Sequence, residues 1–364
     1  MGSDGRVRFL ILAIANQKGG VAKTTTSINL AAALAEMGHR TLLIDLDPQT
    51  HASMGLGIQT DSLESSIYNA LSERSDQKQF IENIIQPYGE NFDVAPGHVL
   101  LCTIEQEFAE KEHAVGKLRH ILQHMVFPYQ FVVIDCPPSL GFLTFNALFA
   151  ADLAVVPVEL GTFALYGVGK LVSMIELIRV KTEHAPQVFA LPTMVDMRSR
   201  FSRIMLERIR ETFGEHCFET VIRANIACRE AQQKGVPVQY HDPRAKASQD
   251  YRALAQEILA KLASDDDKRI QAAAGPVYNR VRDFTIAMPE AEEVYLVGDF
   301  NQWRVDETSK LWNQGKGTWQ KRVLLTPGRY RYKFVIDGKW VVDPHNRLAE
   351  PNVYGGLDSV IEVP

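Results

Sequence analysis

The sequence predicts two folds in tandem: an α/β domain on a doubly wound, mostly parallel sheet, followed by a small all-β sandwich. Three observations carry this expectation. Across residues 1–263, short apolar runs alternate with helical patterns, as in successive βαβ units. A charged tract, Ser264-Asp265-Asp266-Asp267-Lys268-Arg269, then runs into Gln271-Ala272-Ala273-Ala274-Gly275-Pro276, and 264–276 reads as a linker. Residues 277–364 switch to two-residue alternation broken by glycine, proline, Asn and Asp.

Taken in order, Phe9–Ala15, Thr41–Asp45, Phe131–Ile134, Leu153–Pro157 and Val188–Thr193 read as buried strands. Each is short and apolar at nearly every position, as expected where helices cover both faces of a sheet. Thr24–Met37, Gly167–Val180, Ser202–Phe213 and Gln249–Leu262 read as helices; in the last, Tyr251, Leu254, Ile258 and Leu262 recur at helical spacing. In the second domain, Val294–Gly298 and Trp319–Leu325 read as strands. In Arg329-Tyr330-Arg331-Tyr332-Lys333-Phe334-Val335 the aromatics fall on one face and the cations on the other. About 88 residues of short strands suit an immunoglobulin-like sandwich.

Composition narrows the function classes. With 364 residues, 46% apolar and 23% charged, the chain is neither disordered nor collagen-like nor a disulfide scaffold. A net charge of −5 rules out a polycation that coats nucleic acid, and leaves room for a local basic patch. Residues 276–364 hold twelve basic and twelve acidic side chains, so the deficit belongs to the first domain. No apolar run approaches the ~18–20 residues of a membrane span. The polar start, Met1 to Phe9, does not read as a signal peptide. Cys102, Cys136, Cys217 and Cys228 show no Cys-x-x-Cys spacing and read as reduced thiols, which places the chain in the cytoplasm.

The first strand leads into Asn16-Gln17-Lys18-Gly19-Gly20-Val21-Ala22-Lys23-Thr24-Thr25-Thr26 and then a helix. Strand, glycine loop and helix N-terminus make a phosphate site, with backbone N–H groups and the helix dipole facing the anion. Lys23 reaches the β- and γ-phosphates and the Thr24 hydroxyl can ligate Mg²⁺. Gln17 and Ala22 stand where the common P-loop pattern has glycines, and a second lysine, Lys18, precedes Lys23 by five residues. That departure resembles the deviant Walker A motif of the ParA/MinD superfamily of P-loop ATPases, and the surrounding segment is similar to a ParA-type partition ATPase. The resemblance implies ATP binding by Lys18, Gly19, Gly20, Val21, Ala22, Lys23, Thr24 and Thr25. It also implies an ATP-dependent homodimer in which Lys18 reaches the partner's phosphates, and a ParB-like partner that stimulates slow hydrolysis.

Two further motifs follow at the expected order. Leu42-Leu43-Ile44-Asp45-Leu46-Asp47-Pro48-Gln49 resembles the second family motif, in which Asp47 positions the attacking water and Asp45 supports the metal shell. Phe131-Val132-Val133-Ile134-Asp135-Cys136-Pro137-Pro138-Ser139 resembles Walker B and its switch, with Asp135 holding Mg²⁺ through water. Lys18, Lys23 and Asp47 are thus the candidate catalytic residues; Thr24, Asp45 and Asp135 are the candidate metal residues. Val156–Glu159, Phe163–Gly167 and Ile222–Val238 also follow the family, except that Arg223-Ala224-Asn225 replaces its usual Pro-Arg-Asn. The iron-protein relatives need cluster cysteines, which Cys102 and Cys136 do not supply. The membrane-cycling relatives end in a basic amphipathic helix; Gln249–Leu262 balances Arg252 and Lys261 against Asp250 and Glu257, so no membrane partner is expected.

The resemblance implies nonspecific DNA binding and nucleoid association. Met197–Arg210 carries five arginines against Glu207 alone, and Arg198, Arg200, Arg203, Arg223 and Arg229 are the candidate contacts. A solvated helix face would explain the same charges.

Residues 277–364 resemble the glycogen-binding domain of the AMP-activated kinase β subunit. Val294-Tyr295-Leu296-Val297-Gly298-Asp299-Phe300-Asn301-Gln302-Trp303 and Lys333-Phe334-Val335-Ile336-Asp337-Gly338-Lys339-Trp340 carry the likeness. By it, Trp303 and Trp340 stack on glucose rings and Lys333 bonds hydroxyls, while Asp358 replaces the usual amide. Trp319 reads as core and Trp312 as a loop residue. An α-glucan is the implied ligand; a glucan-associated or other docking protein is the alternative. The whole then reads as an ATPase that positions a cargo, as a glucan-sensing switch without DNA binding, or as a plasmid or chromosome partition ATPase with a docking module.

Overall fold

The computed structural model describes residues 9–74, 78–108, 115–125, 127, 129–161, 164–182, 184–265, 280–306, 309–313, 317–325, 328–352 and 355–363. They fall into two units, Met1–Gly275 and Pro276–Pro364. The expected linker beyond Asp265 lies outside the described residues, and of the 163–167 motif only the backbone from Ala164 is described.

The first unit is a seven-stranded sheet. Its strands are β1 (Leu10–Ile14), β2 (Thr41–Asp45), β3 (Gln86–Gly89), β4 (Phe92–Ala95), β5 (Phe131–Asp135), β6 (Leu153–Glu159) and β7 (Gln187–Thr193), in the spatial order β3-β4-β2-β5-β1-β6-β7. All neighbours are parallel except β3 and β4. The five strands read from periodicity are present. β3 and β4 escape that reading because Pro87, Gly89 and Asp93 interrupt their apolar character, and proline is tolerated on an antiparallel edge.

The helix Lys23–Glu36 is buried along most of its length, because it is clasped between the sheet and the C-terminal helix Lys246–Asp265. Leu30 and Leu34 share a core with Tyr251, Leu254 and Ile258. Among the described residues, no helix is long and apolar enough to cross a membrane.

Register brings the site together. In the β1–β5 and β2–β5 ladders, Ile14 and Asp45 both pair with Asp135, so three strands end at one level. Loops leaving the carboxyl ends of a parallel sheet at such a point form the usual ligand crevice of this architecture.

The second unit has strands β8 (Arg280–Ala287), β9 (Val294–Gly298), β10 (Trp312–Asn313), β11 (Thr318–Leu325), β12 (Gly328–Ile336), β13 (Lys339–Val341), β14 (Ala349–Pro351) and β15 (Leu357–Val363). One sheet runs β10-β11-β8; the other runs β13-β12-β15-β14, with β9 also on β12. Phe284, Ile286, Leu296, Trp319, Tyr332 and Phe334 form the core between them. Trp319 is core as expected, its indole N–H donating to the Met288 carbonyl at 3.0 Å. Trp312, expected in a loop, instead pairs with Gln320 as part of a short strand. Asp337 (φ 45°) and Gly338 (φ 78°) turn β12 into β13 with the two positive φ values that an Asp-Gly hairpin provides.

Candidate active site and saccharide site

The loop after β1 ends at Ala22, which caps the helix Lys23–Glu36 with φ 68° and ψ 31°, in the left-handed region that glycine favours. The methyl at this position therefore does not prevent the glycine-type turn; it strains it. No side chain caps this helix, so its first amides face the crevice as anion donors. A cavity of about 680 Å³ opens there, lined by Lys23, Thr24, Asp47, Met194, Arg223 and Asn225 among others.

Lys23 is buried, and burial lowers its pKa while Asp135, Cys136 and Asp47 oppose the shift. Its ammonium donates to the Lys18 carbonyl at 3.0 Å. Thr24 Oγ1 donates to Asp135 Oδ2 at 2.8 Å, and Ser27 Oγ to Asp135 Oδ1 at 2.7 Å. Ser27 carried no expectation, although it lies one helical turn after Thr24. Burial first, and the neighbouring Asp45 second, raise the Asp135 pKa. Asp47 is buried, and its Oδ1 accepts from the Gln49 amide at 2.9 Å.

Asp45, expected to support the metal shell, is bonded to donors of its own loop. Its Oδ2 accepts from both the amide (2.8 Å) and hydroxyl (2.7 Å) of Ser53, and its Oδ1 accepts from the Asp47 amide at 3.2 Å. Its carboxylate is wholly buried, and these local donors satisfy it and tie it to the Asp47 loop. Thr24 and Asp135 remain a pair of hard oxygen donors, which with phosphate oxygens and water suit Mg²⁺. Held there, Mg²⁺ would supply neutralisation of phosphate charge.

Lys18 points elsewhere. Its ammonium lies 2.6 Å from Glu159 Oε2 at the end of β6. Asn16 reinforces this by donating to the Pro157 carbonyl at 2.7 Å and accepting from the Lys18 amide at 3.0 Å. Glu159 belonged to a recognised segment but had no assigned role.

The arginines divide into two groups. Arg200 and Arg203 are exposed on the helix Arg200–Phe213, and Arg198 precedes it, held bidentately by Asp196 at 3.0 and 3.2 Å. Arg223 is placed differently from these: its Nε lies 3.0 and 2.9 Å from the two Asp250 oxygens, and the residue lines the cavity beside Lys23 and Thr24. Arg229, though exposed, also lines that cavity.

In the second unit, Trp303 and Trp340 stand side by side with ring centroids 6.3 Å apart and planes at 27°. Trp340 is 51% exposed. Gln302 (φ 56°) and Trp303 (φ 60°) are both left-handed, a costly conformation that the surrounding bonds hold in place. The Trp303 amide donates to the Gly298 carbonyl at 2.9 Å and its indole N–H to Asp299 Oδ1 at 3.1 Å. Lys333 lies 3.1 Å from Asp358 Oδ1, which also accepts from Asn352 Nδ2 at 2.7 Å. The position expected to hold an amide is thus a carboxylate paired with Lys333 and with the Asn352 side chain, which also accepts from the Gly356 amide at 2.9 Å.

Comparison with known proteins matches each of the two units to a family. The family model described as "AAA domain" matches residues 9–188, and that of the "Glycogen recognition site of AMP-activated protein kinase" matches 285–364. The sporulation initiation inhibitor protein Soj of Bacillus subtilis is 38% identical over 69% of this chain and 98% of its own length. The chromosome partitioning protein ParA of Myxococcus xanthus is 36% identical over 71% and 91%. Among solved structures, cobyrinic acid a,c-diamide synthase from Mycobacterium smegmatis, with bound ATP analog and magnesium, superposes with a TM-score of 0.62. It is 31% identical and covers 71% of this chain and 97% of its own.

Proposed function

The chain belongs to the ParA/Soj family of partition ATPases, a Mg²⁺-dependent ATP hydrolase joined to a glycogen-recognition module, and on that premise we propose that it positions an α-glucan cargo along DNA. ATP closes a homodimer through Lys18, which leaves its own subunit to meet the partner's phosphates. Lys23 and the loop Gly19, Gly20, Val21, Ala22, Thr24 and Thr25 hold the nucleotide. Thr24 and Asp135 hold Mg²⁺, and Asp47 orients the attacking water. A ParB-like partner triggers hydrolysis and reopens the dimer. Arg198, Arg200 and Arg203 meet DNA phosphates without reading sequence, so affinity falls steeply with salt. The protein works in the cytoplasm, on the nucleoid.

The observation that carries the cargo half is the paired Trp303 and Trp340 shelf, since two neighbouring rings inclined by only 27° offer the apolar faces of adjacent sugars a stacking surface. The test is DNA binding with ATP, with ADP and without nucleotide, at two salt concentrations. Binding that needs ATP, weakens with salt and disappears in Lys18→Ala supports the reading. Absence of binding with every nucleotide removes the DNA track. A second reading, a glucan-sensing ATPase switch, then takes its place, and it draws support from Arg198 and Arg223 already being paired with Asp196 and Asp250. Its mark is an ATPase rate that changes with added glucan.

A further inference from the structure

Strand β12 alternates from Arg329 to Phe334. Tyr330, Tyr332 and Phe334 pack against or within the core, and Arg329, Arg331 and Lys333 face the other way. Each of these three cations meets a carboxylate from a neighbouring element. Arg329 lies 2.7 Å from Glu350 and 3.4 Å from Glu362, Arg331 lies 3.4 Å from Asp299, and Lys333 lies 3.1 Å from Asp358. The row is continuous with the tryptophan shelf, because Asp299 bonds both the Trp303 indole and the Arg331 amide, the latter at 2.8 Å. Trp340 sits across from Val335 on the same strand.

We propose that this row of ion pairs is an extension of the saccharide site, binding the part of an α-glucan chain that runs past Trp303 and Trp340. The inference rests on the glucan reading given above and adds chain-length recognition to it. A sugar hydroxyl both donates and accepts, so a guanidinium beside a carboxylate offers each hydroxyl of a vicinal pair the partner it needs. Three cations against Glu350, Glu362, Asp299 and Asp358 leave the row slightly acidic, which disfavours a polyanion and suits a neutral chain. From Arg329 to Lys333 the strand spans about 14 Å, several sugar rings long. The gradient of exposure also fits. Lys333 and Asp358, near the shelf, are 14% and 7% exposed, whereas Arg329 and Glu350, at the far end, are 53% and 40% exposed and open to a longer ligand.

The experiment is calorimetric titration of the full-length protein with maltotriose and with maltoheptaose. Arg329→Gln and, as an independent variant of similar shape, Glu350→Gln are expected to weaken maltoheptaose roughly tenfold, the worth of a hydrogen bond to a charged group, and to leave maltotriose unchanged. Trp340→Ala weakens both sugars. If the two glutamine variants change neither affinity, or change both equally, the extension is wrong while the shelf stands. If the unaltered protein binds neither sugar, the glucan reading itself falls and takes the extension with it.

Discussion

Glu159→Gln should strengthen ATP-dependent dimerisation. In the proposed dimer Lys18 would have to leave Glu159, to which it is bonded at 2.6 Å with the two side chains 38% and 37% exposed. At that exposure solvent screens the pair, and its worth is about 1 kcal/mol despite the short distance. A symmetric dimer breaks two such pairs, so the substitution returns about 2 kcal/mol to association, roughly a thirty-fold larger dimer constant. Glutamine keeps the shape and removes the charge, which leaves β6 intact. Sedimentation equilibrium with Mg²⁺ and a non-hydrolysable ATP analogue measures the constant directly, and Lys18→Ala should abolish it. An unchanged or weaker dimer in Glu159→Gln would refute the reasoning, because it would mean that Glu159 supports Lys18 within the closed dimer instead of holding it back.

Three other outcomes are expected. Ala22→Gly relieves a left-handed alanine that costs about 1 kcal/mol, so the nucleotide-free protein should melt at the same temperature or higher, where the same change in ordinary helical backbone destabilises; a clear loss by calorimetry counts against the strained turn. Asp135→Asn removes one of two buried, mutually repelling carboxylates, and should raise stability without nucleotide by about 1 kcal/mol while cutting Mg²⁺-ATP hydrolysis a hundredfold or more; melting and turnover measured together test both halves. Arg200→Glu with Arg203→Glu should abolish DNA binding and spare ATP affinity, whereas Arg223→Ala should weaken ATP and leave the salt slope of DNA binding intact; nucleotide titration beside a DNA shift assay separates them.

Much of this protein is legible along the chain because the information is periodic or local. Buried parallel strands must be apolar at every position, so β1, β2, β5, β6 and β7 announce themselves, and the change to two-residue alternation marks the second domain. The loop from Lys18 to Thr25 and the two strand-ending aspartates of motif form identify the nucleotide chemistry without coordinates. The Asp337-Gly338 turn likewise exposes Trp340 by local rules. What the tertiary structure decided is pairing between distant residues. Asp45 meets Ser53, Lys18 meets Glu159, Arg223 meets Asp250, and Asn352 meets Asp358 across a turn. A cation's availability depends on which carboxylate the sheet order sets beside it, and Lys18 and Glu159 are joined only because β1 and β6 are neighbours. Residue type and spacing set the chemistry that is possible; strand order and register set which groups are already spent.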